Sequence, residues 1–208
     1  MSVAREGWPL IIPPTLVGVG LVLAGWHWVG AFFLLSALGV AFFFRDPHRA
    51  PSPFSGAVVS PAHGRVVSVA EIDEPDYLRT PGRRISVFMS LFNVHVNYAP
   101  VTGQVEFLLH RKGAFRRAYL PEASLKNENN SIGIRSEQHR LMVRQIAGTV
   151  ARRIVCRVRK GDRVQTGEKI GLIRFGSRVD VFVPLEWEVL VKEGDRVKGG
   201  ITQLARIG

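Results

Sequence analysis

The sequence is short of cysteine, short of acidic charge and, near its start, lacks charge of either sign. A single cysteine in 208 residues excludes a disulfide framework and any cysteine-rich zinc site. That residue, Cys156, lies in the run Ile154-Val155-Cys156-Arg157-Val158 and reads as a small buried thiol in a strand, not as a nucleophile. The 21 Gly and 12 Pro follow no period and hydrophobic residues make up 46%, which excludes collagen, coiled coil and wholesale disorder. Asp and Glu number 17 against 28 Lys and Arg, for a formal net charge of +11. Residues 177–208 carry five basic and five acidic side chains, so the whole excess belongs to the first 176. Such a field favours an anionic partner, either nucleic acid or an anionic membrane surface. The size fits one compact domain with an appendage.

Trp8 to Phe44 contains no Asp, Glu, Lys or Arg over 37 positions. One helix of that length would span roughly 56 Å, against a hydrocarbon core of about 30 Å. Gly25-Trp26-His27-Trp28 interrupts the run near its middle, which predicts two short helices in a hairpin with interfacial aromatics at the turn. His27 is then a turn residue near headgroups, not a ligand. Arg5 precedes the hairpin, and Arg45 and Arg49 follow it. Basic flanks on both sides predict that both ends stay at the cytoplasmic face of the cell membrane, whether the hairpin spans or lies within one leaflet. The apolar region is too long for a cleaved signal peptide. The expected division is 1–46 as a membrane-associating hairpin and 47–208 as a β-rich domain.

From Pro47 onward short β-branched runs alternate with Gly, Pro, Asn and Asp, the texture of a mainly β domain. The expected strands are 57–60, 65–71, 84–89, 103–110, 131–136, 141–147, 150–158, 169–174, 179–183 and 188–192. Glu122 to Asn130 reads as a loop or short helix, inert by default and a mobile lid if exposed. Val158-Arg159-Lys160-Gly161-Asp162-Arg163-Val164 recurs as Val191-Lys192-Glu193-Gly194-Asp195-Arg196-Val197, with Gly167 and Gly200 at matching offsets. Each Gly-Asp pair makes a tight turn between core-facing valines. The echo predicts a duplicated β-sandwich resembling biotinyl and lipoyl carrier modules. Neither copy has the Met-Lys pair of a carrier, so the repeat reads as scaffold, and a membrane-tethered adaptor or carrier is the weakest functional reading.

Three stretches can carry chemistry. Arg174-Phe175-Gly176-Ser177-Arg178-Val179-Asp180 places a Gly-Ser step between two strands; alone it is an ordinary turn dipeptide. Chemically, the Ser177 hydroxyl can attack the Gly176 carbonyl and turn the amide into an ester, with the bare Gly176 clearing the approach. Elimination from that ester leaves a ketone-bearing terminus, a pyruvoyl group, able to condense with an amine and accept the electrons of a departing carboxylate. Asn93-Val94-His95-Val96-Asn97 alternates polar and apolar residues as a strand would. His95 there is either a hydrogen-bonded strand histidine or a general base and proton donor. Ser60-Pro61-Ala62-His63-Gly64-Arg65-Val66 is a turn entering a strand, in which His63 alone is a turn residue.

Phe44-Arg45-Asp46-Pro47, Ser60-Pro61-Ala62-x-Gly64-Arg65-Val66, Asn93-Val94-His95-Val96-Asn97 and Phe175-Gly176-Ser177 occur in that order. Together they resemble the short form of the phosphatidylserine decarboxylase proenzymes, from about Arg45 to Pro184 and in the apolar N-terminus. The resemblance implies a precursor that cuts itself into a β chain, 1–176, and an α chain, 177–208, whose terminal serine becomes pyruvoyl. It implies decarboxylation of phosphatidylserine to phosphatidylethanolamine in phospholipid biosynthesis, with no metal and with a further homo-oligomer. Ser177 is then nucleophile and pyruvoyl precursor, and His95 base and proton donor.

The chain departs from the family at one position that matters. Where the family's Ser-Pro-Ala-Asp-Gly motif has aspartate, this chain has His63. The family carboxylate pairs with the histidine matching His95, as in a Ser-His-Asp triad; His63 can orient it but adds no negative charge. Self-cleavage is therefore expected to be slower or to use another acid, such as Asp180, and an unprocessed, catalytically silent relative that binds anionic lipid is the alternative. Arg111-Lys112 and Arg116-Arg117 are the densest basic pairs, expected either to meet lipid phosphates, at about 1 kcal/mol per nearby cation, or to form a solvated loop. No nucleic-acid recognition motif is present, so no nucleic-acid partner is expected.

Overall fold

The uncharged N-terminal run folds as two helices, α1 (Trp8–Leu23) and α2 (His27–Phe43), reversed at Gly25, whose φ of +86° suits glycine. The computed structural model describes residues 2–47, 56–74, 76–120, 123–137, 139–149, 153–174 and 176–207. The chain divides into two compact units, Met1–His48 and Arg49–Gly208. In the first, α1 and α2 cross at Gly18 and Gly30, where a Cβ on Gly30 would come within 2.7 Å of the Gly18 carbonyl oxygen. Small residues permit that close approach. Thr15 and Ser36 return their hydroxyls to the carbonyls of Ile11 and Phe32, each at 2.8 Å. Leu16, Leu23, Trp28, Phe32, Leu35 and Leu38 are exposed. Arg5–Leu23 is long and apolar enough to cross a membrane, and His27–Phe43 is a shorter apolar helix. Ser2–Val3 pairs antiparallel with Arg45–Asp46, bringing both ends of the hairpin together.

The second unit is mainly β. Eight strands form one antiparallel sheet in the order Arg163–Val164, Gly103–Arg111, Asn129–Ser136, His139–Ile146, Ser177–Pro184, Thr80–Met89, Gly64–Glu74 and Arg196–Val197. Two three-stranded sheets accompany it: Ile154–Cys156, Lys169–Ile173 and Val96–Tyr98, and Glu188–Val189, Gln203–Arg206 and Ala57–Val59. One apolar core takes Val58, Val87, Val143, Ile170, Val181 and Leu204 from all three sheets.

The Gly-Asp echo is a structural duplication. In the first copy the Gly161 N–H donates to the Val105 carbonyl at 2.8 Å and the Val105 N–H to the Asp162 carbonyl at 2.9 Å. In the second, Gly194, Val66 and Asp195 repeat both bonds at 2.8 and 2.9 Å. Gly161 and Gly194 have φ of +98° and +94°, left-handed values that bare glycine adopts without strain. The duplication extends to an echo the repeat alone does not reveal: Ser60-Pro61-Ala62-His63-Gly64-Arg65-Val66 against Ala99-Pro100-Val101-Thr102-Gly103-Gln104-Val105. This is the expected duplicated β-sandwich.

Several local expectations are corrected. Cys156 ends the edge strand Ile154–Cys156 and is exposed, not buried. His95 is not inside a strand; only Val96–Tyr98 pairs, and His95, Val94, Val96 and Asn97 are all buried. The segment expected as a loop or short helix contains the short helix α3 (Ala123–Lys126); Ala123, Ser124 and Asn127 are buried, which no exposed lid would be. Arg163–Val164, Arg196–Val197 and Gln203–Arg206 are strands the pattern did not predict. The expected strand residues 150–152, together with Arg49 and Phe175, lie outside the described residues.

Candidate active site

Ser177 opens the Ser177–Pro184 strand, the fifth of eight, hydrogen-bonded on one side to Thr80–Met89 and on the other to His139–Ile146. It stands opposite Met89 and is fully buried; among the described residues its Oγ has no hydrogen-bond partner. An unused buried hydroxyl costs about 1–3 kcal/mol in lost solvation, so its retention asks for a chemical reason. The residue before it, Gly176, has φ of +50°, a backbone that a side chain would strain. Its carbonyl oxygen rests against Gly148, where any Cβ would overlap it. Bare glycines thus lie on both sides of the peptide bond that Ser177 would attack.

His95 is 3% exposed, and its Nδ1 lies 2.9 Å from the Asn93 carbonyl oxygen. A carbonyl only accepts, so Nδ1 carries the proton and Nε2 keeps the lone pair of a base. The His95 carbonyl accepts the Ile173 N–H at 3.2 Å, fixing this histidine to the segment that leads into Gly176. Asn93 is itself held by Ser90, whose N–H and hydroxyl both donate to Asn93 Oδ1 at 2.8 Å. A chain of buried amides continues inward: Asn130 donates to Gln145 at 2.9 Å, Gln145 to Asn97 at 2.8 Å, and Asn97 to the Met89 sulfur at 3.7 Å. Gln145 pairs with Val179 and Met89 with Ser177, so alternation puts this chain on the Ser177 face of the sheet. Gly148 and Gln145 went unrecognised in the sequence, which carries no local signal for either, whereas Asn97 belongs to the Asn93-Val94-His95-Val96-Asn97 motif.

His63 lies in the Ser60–Gly64 turn, where the Ser60 hydroxyl donates to the Ala62 carbonyl at 2.7 Å and the Pro61 carbonyl accepts the Tyr98 N–H at 2.9 Å. It lines a cavity of about 620 Å³ with Ser90 and Asn93. The Ser-Pro-Ala-His turn, the Asn-Val-His segment and the Gly-Ser step are thus joined through Asn93, Met89 and Ile173. A larger cavity, about 690 Å³ beside Tyr77 and Lys160, includes none of Ser177, His95 or His63.

Behind Ser177, on the other sheet face, Arg178 is buried and fully engaged. Its Nε donates to Asp180 at 2.6 Å, and its Nη2 to Ser124 at 2.7 Å and Ser86 at 2.9 Å. The Leu120 carbonyl accepts from Nη1 at 3.1 Å, and the Ser124 hydroxyl donates to Asp180. Burial pushes the neighbouring Arg84 guanidinium down from its ordinary value, with Asp180 opposing. Alternation turns Asp180 away from Ser177, so it is not the substitute acid; the Asn93 carbonyl orients His95 instead. Of the basic pairs, Arg111 forms a two-pronged ion pair with Asp76, one bond at 2.7 Å, and Arg117 donates to the Tyr119 hydroxyl at 3.0 Å. Arg111, Lys112, Arg116 and Arg117 are exposed, and none lines the cavity beside His63. Among the described residues no group of three His, Cys, Asp or Glu is placed to hold a metal.

A buried serine after a left-handed glycine, with a buried histidine tied to the segment that leads into that glycine, thus sits in a duplicated β-sandwich. A family model described as phosphatidylserine decarboxylase matches residues 37–205. The phosphatidylserine decarboxylase proenzyme of Carboxydothermus hydrogenoformans is 45% identical over 205 residues, covering 98% of this chain and 95% of that protein. That of Nitrosomonas europaea is 45% identical, covering 98% and 94%, and that of Salinibacter ruber is 45% identical over 198 residues, covering 92% and 87%. The chain belongs to the phosphatidylserine decarboxylase family, carboxy-lyases of phospholipid biosynthesis made as proenzymes.

Proposed function

We propose that this chain cuts itself between Gly176 and Ser177 and then decarboxylates phosphatidylserine to phosphatidylethanolamine at the cytoplasmic face of a membrane, through a pyruvoyl group made from Ser177. The observation that carries the reading is the buried Ser177 hydroxyl, without a hydrogen-bond partner among the described residues, beside the left-handed Gly176. His95 Nε2 takes the hydroxyl proton as Oγ adds to the Gly176 carbonyl, and the C–N bond breaks to leave an ester. Loss of the Ser177 α-proton then breaks the Cβ–Oγ bond, freeing Gly176 as a carboxylate, and water replaces the nitrogen with a ketone and releases ammonia. The site fits the resulting group: the segment is already buried, and a terminus without a hydroxyl leaves no polar side chain to satisfy. The pyruvoyl group supplies an electrophilic carbonyl that condenses with the substrate amine and receives the electron pair left by CO2. His95 then holds the proton that replaces the lost carboxylate.

The exposed apolar side chains of α1 and α2 support membrane attachment, since contiguous apolar surface of this kind marks a membrane or partner face. His63 favours the second reading, an unprocessed relative that binds anionic lipid. Purified protein incubated with phosphatidylserine in detergent micelles should release CO2, lose that activity on treatment with a carbonyl reagent, and lack it after Ser177→Ala. Lipid binding without CO2 release, from a chain that stays whole, would establish the second reading instead.

A further inference from the structure

The charged side chains that line the cavity beside His63 are cationic. Arg65 and Arg196 stand directly opposite each other on paired strands, and Lys198 adds a third cation, with His63, Ser90 and Asn93 as the other polar lining residues beside Phe88 and Val197. Among the described residues no carboxylate lines it. Like charges directly opposite on adjacent strands are destabilising, so this pairing asks for an anion between them.

The duplication supplies an internal comparison. The equivalent cavity of the other copy, about 610 Å³, has Arg163 opposite Gln104 and Gln165 in the place of Lys198, and its two cations, Arg135 and Arg163, are matched by Glu137 and Glu168. Two cavities built on one scaffold therefore differ in charge. The cationic one is next to the candidate active site: its wall residue Ser90 follows Met89, the partner of Ser177, and Asn93 holds His95. A general basic surface would not produce this asymmetry between duplicated halves.

We infer that Arg65, Arg196 and Lys198 form the subsite for the phosphodiester of the substrate headgroup, an inference that rests on the function proposed above. A phosphodiester oxygen pair matches paired guanidinium groups, with the lysine as a third point charge. Bound there, the diester leaves the serine amine and carboxylate to extend toward the terminus formed at Ser177. The exposed pairs at 111–112 and 116–117 are not required for this step.

The test is the double variant Arg65→Gln/Lys198→Gln, which installs the residues the other copy already carries at both positions. With phosphatidylserine in micelles of an uncharged detergent, KM should rise at least tenfold and kcat change less than threefold; Arg206→Gln, removing a distant charge, should move KM less than twofold. Titration calorimetry with glycerophosphoethanolamine, a soluble diester that cannot be decarboxylated, should show a Kd at least tenfold weaker in the double variant. An unchanged KM and Kd would overturn the subsite, as would inorganic phosphate binding as tightly as the diester. If the unmodified protein releases no CO2 yet binds the diester through these residues, the proposed reaction fails and the subsite stands.

Discussion

At the scale of single residues, the proposed self-cleavage draws on Ser177 together with two glycines and two histidines. Gly148 has no side chain where the Gly176 carbonyl needs the space, and Gly148→Ala should displace the bond that Ser177 attacks. A misplacement of about 1 Å costs about 100-fold in rate, so the half-time of self-cleavage, followed by gel in a cell-free synthesis reaction, should lengthen by about that factor. His95 has its tautomer set by the Asn93 carbonyl, a dipole in place of the family's carboxylate. An aspartate introduced by His63→Asp adds the missing negative charge; one unit of rise in the imidazole pKa corresponds to about tenfold in proton affinity, and self-cleavage should accelerate by up to that amount. An unchanged or slower half-time would show that charge at position 63 is not limiting. Ser177, His95 and His63 were singled out only through the resemblance of their motifs to the family, since each alone reads as an ordinary turn or strand residue. Gly148 was not, because glycine after Ile-Ala reads as a loop start and its partner is reached only through folding.

At the scale of elements, the strand that begins at Ser177 is held by more than its ladder. Arg178 and Asp180 tie its first residues to Ser86 and to Ser124 of α3, so the terminus created by cleavage would remain in place after the bond is cut. Removing one partner of a buried ion pair costs about 3–5 kcal/mol, and Asp180→Asn should lower the urea midpoint of the processed protein accordingly. The turn after the Gly64–Glu74 strand is fixed in turn by Glu74, whose carboxylate accepts the Tyr77 and Leu78 N–H groups at 2.8 Å, and by Asp76. Hydrogen bonds from Arg111 hold the Asp76 carboxyl below its ordinary range, with the Arg111 and Arg144 charges adding and burial opposing. Because the folded value is depressed, Asp76 stabilises the fold above its unfolded value of about 3.9 and loses that contribution as pH falls through the folded one. Asp76→Asn should therefore lower thermal stability at pH 7 and flatten its decline below about pH 4, as read by circular dichroism melts. The longer strands were legible from alternation and β-branching. Arg163–Val164 and Arg196–Val197 were not, since two residues carry no period and their pairing is set by the Gly-Asp turns before them.

The whole molecule combines a pair of apolar helices with a duplicated β unit whose two copies differ in charge. The duplication was half legible: the Gly-Asp echo is plain in the sequence, but the match of Ser60–Val66 to Ala99–Val105 emerges only from equivalent hydrogen bonds to Val66 and Val105. That match places His63, Arg65 and Lys198 where the other copy has Thr102, Gln104 and Gln165, which locates the divergence beside Ser177. The central claim is that this unit cuts its own backbone between Gly176 and Ser177. The intact mass of the purified, membrane-expressed protein under denaturing conditions tests it most directly. Two chains are predicted, residues 1–176 and residues 177–208, the smaller beginning with pyruvoyl in place of serine; a single uncut chain of 23.1 kDa would contradict the account.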